Sequence, residues 1–135
     1  MAHPSPQPMP DILRLFLAQA EDNLSQMEEG MVLLESTPED PELLNTIFRA
    51  AHKLKGDAML GEYGIVAELA HNLEDLLERV RSRAIPVDES LVSVLLGYLD
   101  CLRIHIERVA RGHGDRKSTR LNSSHRLTSR MPSSA

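Results

Sequence analysis

The sequence has few aromatic residues, a single cysteine and no long apolar run. Phe, Tyr and Trp make up 3% of the 135 residues, with no Trp, so any hydrophobic core must be aliphatic. This composition favours packed helices over a β-sandwich. Cys101 cannot form an internal disulfide and fits a reducing compartment. No stretch approaches the roughly 20 apolar residues of a membrane span, and the first residues lack an apolar signal core. We therefore expect a cytoplasmic protein with no membrane partner.

Charge is unevenly distributed along the chain. The formal net charge is −5, but residues 1–115 carry a net −10 and residues 116–135 a net +5. Binding to nucleic acid depends on basic side chains that neutralise phosphates. An acidic body of this kind argues against nucleic acid as a partner.

Apolar residues recur every three or four positions in four segments, which is the pattern of amphipathic helices. We predict helices over about 11–36, 41–59, 63–83 and 88–111, the first with Asp11 as N-cap and a buried stripe that begins at Ile12 and Phe16. Each stripe covers one side only, and the connections are short. The sequence therefore predicts an all-α fold: a monomeric, antiparallel four-helix bundle with up-down-up-down topology over residues 11–111.

The two ends of the chain differ from the predicted bundle. Residues 1–10 hold four of the eight prolines and are predicted to be a disordered lead-in. Residues 112–135 are rich in Ser and Arg and have no apolar period, which predicts a disordered tail. The tail also resembles translated sequencing-adaptor read-through, so it is excluded from the fold and function argument. A natural basic tail is the alternative.

Three residues of the second predicted helix do not fit a plain structural role. With Ile47 at the centre of the buried stripe, helical geometry places His52 about 140° away and Lys55 on the same side. Gly56 lies near the pole opposite the core, where it costs about 1 kcal/mol of helix propensity relative to Ala. A missing side chain beside an exposed imidazole lets another molecule approach the ring closely.

The third predicted helix carries a second polar pair. With Leu73 as its centre, Glu74 lies about 100° and His71 about 160° off the stripe, so both are expected to face outward. If the second and third helices are adjacent and antiparallel, this pair stands beside His52 and Lys55. A carboxylate at one ring nitrogen would make that nitrogen the N–H donor and leave the other as a nucleophile. Lys55 would supply positive charge for an incoming phosphoryl group.

A metal site is an alternative interpretation of the same helix. Glu68 and His71 match the Glu-x-x-His pattern of di-iron bundles. Such a site needs a second Glu-x-x-His pair, and no other histidine in the sequence has Glu three residues before it. His71 also faces away from the predicted core. We therefore predict no metal site.

The segments "LNTIFRAAHKLKGDAMLGEYG" and "ELAHNLEDLLERVRS" resemble the histidine-containing phosphotransfer (HPt) domain. The resemblance is closest to the N-terminal phosphotransfer domain of chemotaxis-type histidine kinases. His52, Lys55 and Gly56 match the family motif His-x-x-Lys-Gly, and His71 with Glu74 matches the His-x-x-Glu pair of the chemotaxis subclass. Asp57 departs from the family, which often has Gly or Ser there, and places a carboxylate about one turn from the imidazole.

The resemblance implies a phosphotransfer module of a two-component phosphorelay. His52 would accept a phosphoryl group from a histidine kinase catalytic domain and pass it to an aspartate of a response-regulator receiver domain. The sequence has no match to the family's ATP-binding domain, so the resemblance implies no bound cofactor and no enzymatic activity of its own, with Mg-ATP used by the partner kinase. The chain would be a stand-alone module or the first domain of a larger kinase.

A non-catalytic four-helix adaptor that docks a partner through its acidic surface is the other class that the sequence allows. The adaptor and the phosphotransfer module share one predicted fold. Whether His52 accepts phosphate separates them.

Overall fold

The computed structural model describes residues 9–112, and these form four helices and no strand. The helices are α1 (Asp11–Leu34), α2 (Pro41–Leu60), α3 (Gly64–Arg81) and α4 (Glu89–Ala110). Each packs on the next along the chain, and α4 packs back on α1, which closes an antiparallel bundle. The predicted all-α four-helix bundle is confirmed. None of these four helices is long and apolar enough to cross a membrane. Nearly all of the residues predicted to be disordered, 1–10 and 112–135, lie outside the described residues 9–112.

Acidic side chains cap two of the helices. Asp40 accepts hydrogen bonds from two backbone N–H groups at the start of α2, and Pro41 occupies the first turn. Asp88 accepts one such bond at the start of α4. Both arrangements satisfy N–H groups that a helix leaves unpaired. The prediction that Asp11 caps α1 is wrong, because Pro10 is the N-cap and Asp11 is already helical.

Two helices end earlier than their apolar patterns predicted. α1 ends at Leu34, where the backbone N–H groups of Glu35 and Ser36 donate only three residues back, to Val32 and Leu33, at 3.3 and 3.0 Å, as in a tighter turn. α3 ends at Arg81, and Arg83 follows with a left-handed φ of 68°, which a helix cannot contain. In both cases a turn of the backbone, rather than the end of the apolar pattern, sets the boundary.

The core is aliphatic except for two rings at one end of the bundle. The ring centroids of Phe16 and Tyr63 lie 4.6 Å apart, and both side chains are buried. The sequence had placed Tyr63 in a break between helices rather than in the core. Ile12, predicted to start the buried stripe, is instead 58% exposed. It lies in the first turn of α1, one turn before the buried stripe begins at Phe16.

Candidate functional site

The contact between α2 and α3 brings together the polar side chains that the sequence singled out. His52 Nδ1 is hydrogen-bonded to Glu74 Oε2 across the two helices. Lys55 Nζ donates to the other carboxylate oxygen, Oε1, at 2.6 Å. His52 and Lys55, one turn apart on α2, therefore bind both oxygens of the Glu74 carboxylate. The predicted juxtaposition of these side chains is present in the structure.

Glu74 itself is buried, and the prediction that it faces outward is wrong. The residue is 8% exposed, because it lies on the flank of α3 that α2 covers. A buried carboxylate is costly unless its oxygens are paired, and here both are. Burial alone would raise the pKa of Glu74, but hydrogen bonds from Lys55 and His52 and their positive charge more than offset it. The pKa therefore lies below its ordinary value, and the carboxylate is ionised at neutral pH.

His52 is held at one ring nitrogen and open at the other. Its side chain is 63% exposed although Nδ1 contacts a buried group. An ionised carboxylate can only accept, so Nδ1 carries the proton and donates to Glu74. Within residues 9–112, no hydrogen bond or ion pair engages Nε2. With its proton on Nδ1, the ring presents an Nε2 lone pair to solvent whenever it is neutral, which is what a nucleophilic imidazole requires.

The residues that follow His52 on α2 shape the approach to the ring. Gly56 is exposed, and a Cβ added there would meet no atom within 4 Å. Nothing inside the domain therefore requires a glycine at this position. The carboxylate of Asp57, the departure from the family pattern, lies 3.6 Å from Lys53 Nζ on the side of α2 toward α1. Lys53 also donates to Gln19 of α1 at 2.5 Å. Asp57 thus forms an ion pair with Lys53 on that side of the helix, without a hydrogen bond to that oxygen.

His71 flanks the site without a hydrogen bond to it. Its Nδ1 lies 3.9 Å from Glu74 Oε1, and its Nε2 lies 3.6 Å from Asp75 Oδ2. Both distances exceed the range of a hydrogen bond. The side chain is 55% exposed. His71 is therefore near the carboxylate that holds His52 but is not needed to satisfy it.

Two further residues contact the site and were missed by the sequence analysis. The Phe48 ring lies nearly parallel to the His52 ring, with centroids 6.4 Å apart and 14° between the planes. The guanidinium carbon of Arg81 sits 4.0 Å from the centroid of the Phe48 ring. Phe48 precedes His52 by four residues, so helical spacing could have indicated this contact. No sequence signal connects Arg81, at the end of α3, with the ring.

The metal interpretation of Glu68 and His71 has no further support from the structure. Across the described part of the chain, no three His, Cys, Asp or Glu side chains are grouped so that they could hold a metal ion. Glu68 and His71 are both exposed on α3.

A four-helix bundle that presents an oriented, nucleophilic imidazole on one helix has the architecture of a phosphotransfer module. The Hpt domain family model matches residues 11–112, and the chain belongs to this family. This range holds all four helices and every residue of the candidate site. Membership confirms the resemblance on which the sequence analysis relied. The roles of individual side chains remain predictions.

The chain is similar to chemotaxis proteins and to solved phosphotransfer domains of such proteins. Chemotaxis protein CheA of Treponema pallidum is 35% identical over 102 residues, which make up 76% of this chain and 13% of that protein. The CheA phosphotransferase domain from Thermotoga maritima is 28% identical with a TM-score of 0.70, covering 76% of this chain and 99% of that one. The phosphorylated P1 domain of CheA3 in complex with CheY6 from R. sphaeroides is 30% identical with a TM-score of 0.71, covering 93% and 96%. The chain thus spans about an eighth of the length of the curated relatives that it matches.

Proposed function

We propose that His52 accepts a phosphoryl group from a histidine kinase catalytic domain and passes it to an aspartate of a response-regulator receiver domain. One observation carries the proposal: the imidazole is exposed while its Nδ1 is held by a buried, ionised carboxylate. A surface histidine with no chemical role needs no such partner.

The first step is attack on ATP held by the kinase. The Nε2 lone pair of His52 attacks the γ-phosphorus, and an N–P bond forms as the bond to the β,γ-bridging oxygen breaks. ADP leaves with the electron pair of that bond. The ring keeps its proton on Nδ1 and becomes positively charged, and the Glu74 carboxylate stabilises this charge. Such electrostatic help is effective because Glu74 is already in place before the reaction.

The second step returns the ring to its starting state. A carboxylate oxygen of the receiver aspartate attacks phosphorus, the N–P bond breaks, and its electron pair returns to Nε2. Lys55 lies beside the reacting ring, although its first partner is Glu74. It adds positive charge near the phosphoryl oxygens in both steps. Gly56, one turn beyond His52 and without a side chain, leaves room for either partner to approach.

Relatives support the choice of partners. One similar structure is a phosphorylated P1 domain in complex with CheY6, and the curated relatives are CheA proteins. We infer that this domain acts in the cytoplasm as a substrate and carrier rather than as an enzyme. On this proposal it binds no cofactor, and Mg-ATP is held by the partner kinase.

The test is transfer of labelled phosphate. The protein is incubated with γ-labelled ATP and a chemotaxis-type kinase catalytic domain, and acid-labile, base-stable label is mapped. We expect label on wild type and on His71→Gln, none on His52→Gln, and loss of label when a receiver domain is added. Label that survives in His52→Gln would overturn the proposal. Kinase binding without any label on wild type would favour the adaptor instead.

A further inference from the structure

The imidazole of His52 is part of a stack that continues to the end of α3. The Phe48 ring lies almost parallel to the His52 ring, at a centroid distance of 6.4 Å, within the range of offset aromatic pairs. Side chains on a helix point back toward its N-terminus, so the His52 side chain leans over the turn that carries Phe48. An aromatic ring of the same helix thus lies beside the imidazole, nearly parallel to it.

A single hydrogen bond cannot fix the direction of the Nε2 lone pair. The bond from Nδ1 to Glu74 sets the position of one atom, but the ring can still tilt about that contact. A second contact on the ring face removes this freedom. Phe48 is placed to provide it, because it is half-buried against the core and lies nearly parallel to the imidazole.

Arg81 in turn holds the Phe48 ring. Its guanidinium lies over that ring at 4.0 Å from the centroid, a cation–π contact. It also donates to Asn45 Oδ1 at 2.6 Å and to Glu78 Oε1 at 2.9 Å. The guanidinium is therefore held at two nitrogens while its central carbon lies over the aromatic ring. A surface arginine held only by its neighbour on α3 would have no reason to lie over α2.

We propose that Phe48 and Arg81 are positioning residues for phosphoryl transfer: Arg81 fixes the Phe48 ring, and Phe48 fixes the tilt of His52. This inference rests on the proposed role of His52 as phosphoryl acceptor. Neither side chain touches the phosphoryl group in this scheme. Their effect is to keep the Nε2 lone pair in the direction of an incoming phosphorus, so that a larger fraction of encounters is productive.

The variants separate ring contact from charge and from packing. Phe48→Leu keeps an apolar side chain but removes the flat ring, and Phe48→Tyr restores the ring. Arg81→Gln removes the guanidinium, and Arg81→Lys keeps the charge but loses the planar group that stacks and donates at two points. Arg79→Gln is the matched control. It removes the same charge from the last turn of the same helix, at an exposed residue, and leaves in place the Arg81 guanidinium that lies over Phe48.

Each variant is measured in two ways, at a temperature where melting curves show it fully folded. The first is phosphorylation by the kinase catalytic domain, resolved into kcat and KM for this protein as substrate. The second is the proton NMR spectrum of the His52 ring, which needs no kinase and reports the ring current of Phe48. We expect Phe48→Leu, Arg81→Gln and Arg81→Lys to lower kcat by about threefold to tenfold, the effect of losing one aromatic contact of ordinary strength. KM should not change, and the His52 ring protons should shift.

The expected pattern also includes wild-type values for Phe48→Tyr and Arg79→Gln. The inference is overturned if Arg81→Gln and Arg79→Gln behave alike, if Arg81→Lys matches wild type, or if the variants change KM alone. Unmoved His52 ring signals in Phe48→Leu would also overturn it. These failures differ from failure of the proposed function, in which wild type itself carries no label on His52.

Discussion

Replacement of Gly56 by alanine should make the domain more stable and a poorer phosphoryl carrier. Gly56 lies in the interior of α2, is exposed, and has open space where a Cβ would stand. Alanine is favoured over glycine by about 1 kcal/mol at such a position. For a domain of this size that gain raises the melting temperature by roughly 4–8 °C. The same methyl group lies one turn from His52, on the face that a partner must approach.

The structure offers a matched control on another helix. Gly97 is also exposed, lies in the interior of α4, and has no atom within 4 Å of an added Cβ. Gly97→Ala should therefore raise the melting temperature as much as Gly56→Ala does. The two sites are on helices that do not contact each other, so the gains should add in the double variant. Only Gly56→Ala should affect transfer.

The size of the transfer defect follows from the geometry of close docking. A methyl group at position 56 would hold a partner about 1 Å further from the imidazole, and a displacement of that size can cost about 100-fold in rate. We expect transfer to slow by about tenfold or more, both from the kinase and to the receiver. Melting is followed by circular dichroism, and transfer by single-turnover labelling of the folded proteins.

Equal effects of the two alanines on transfer would refute this role for Gly56. If Gly56→Ala and Gly97→Ala gain the same stability and also transfer phosphate at the same rate, then the glycine serves no partner. A lower melting temperature for Gly56→Ala alone would show instead that the helix is constrained at this position.

Three further outcomes follow from the described contacts. Glu74→Gln should slow phosphorylation of His52 by about tenfold or more, since the ring loses a charged acceptor. It should also lower the free energy of unfolding, measured by chemical denaturation, by about 1–3 kcal/mol. An unchanged labelling rate would mean that Glu74 does not act on the ring. The pKa of Glu74 in the folded protein lies below its ordinary value. The contribution of its ionised form to folding stability is therefore complete above about pH 4.3 and is lost as pH falls through the folded pKa. The difference in stability between wild type and Glu74→Gln should narrow in acid, and a difference independent of pH would contradict this. Gly30→Ala should destabilise the bundle by about 1–3 kcal/mol, because the new Cβ would lie 2.5 Å from Ile47 Cγ1. A melting temperature at or above that of wild type would refute this packing of α1 against α2.

The sequence by itself determined the class of fold and the approximate position of the buried stripe on each helix. Both depend on the period of a single helix, which is a local property of the chain. The same period placed His52 and Gly56 on the exposed side of α2, and the structure agrees. The motif around them was enough to indicate the family. These conclusions needed no knowledge of how the helices pack.

The sequence predicted less accurately where each helix begins and which residues at the ends of the bundle are buried. Asp11 looked like an N-cap and Ile12 like the first core residue, yet Pro10 is the cap and Ile12 is exposed. Tyr63 stood in a loop pattern and is buried against Phe16. Apolar spacing shows which face of a helix is buried. How far the neighbouring helices extend along that face depends on the whole bundle.

Only the tertiary structure decided what surrounds the imidazole. Glu74 lies on the flank of α3. It is buried because α2 covers that flank, and Lys55 and His52 of α2 are its hydrogen-bond partners. Arg81 belongs to a different helix from Phe48, and nothing in either local pattern connects them. Such contacts depend on the relative rotation and height of two packed helices, which are set by the side chains of the whole interface. The sequence singled out His52, and the packing of α3 against α2 determined how its ring is held.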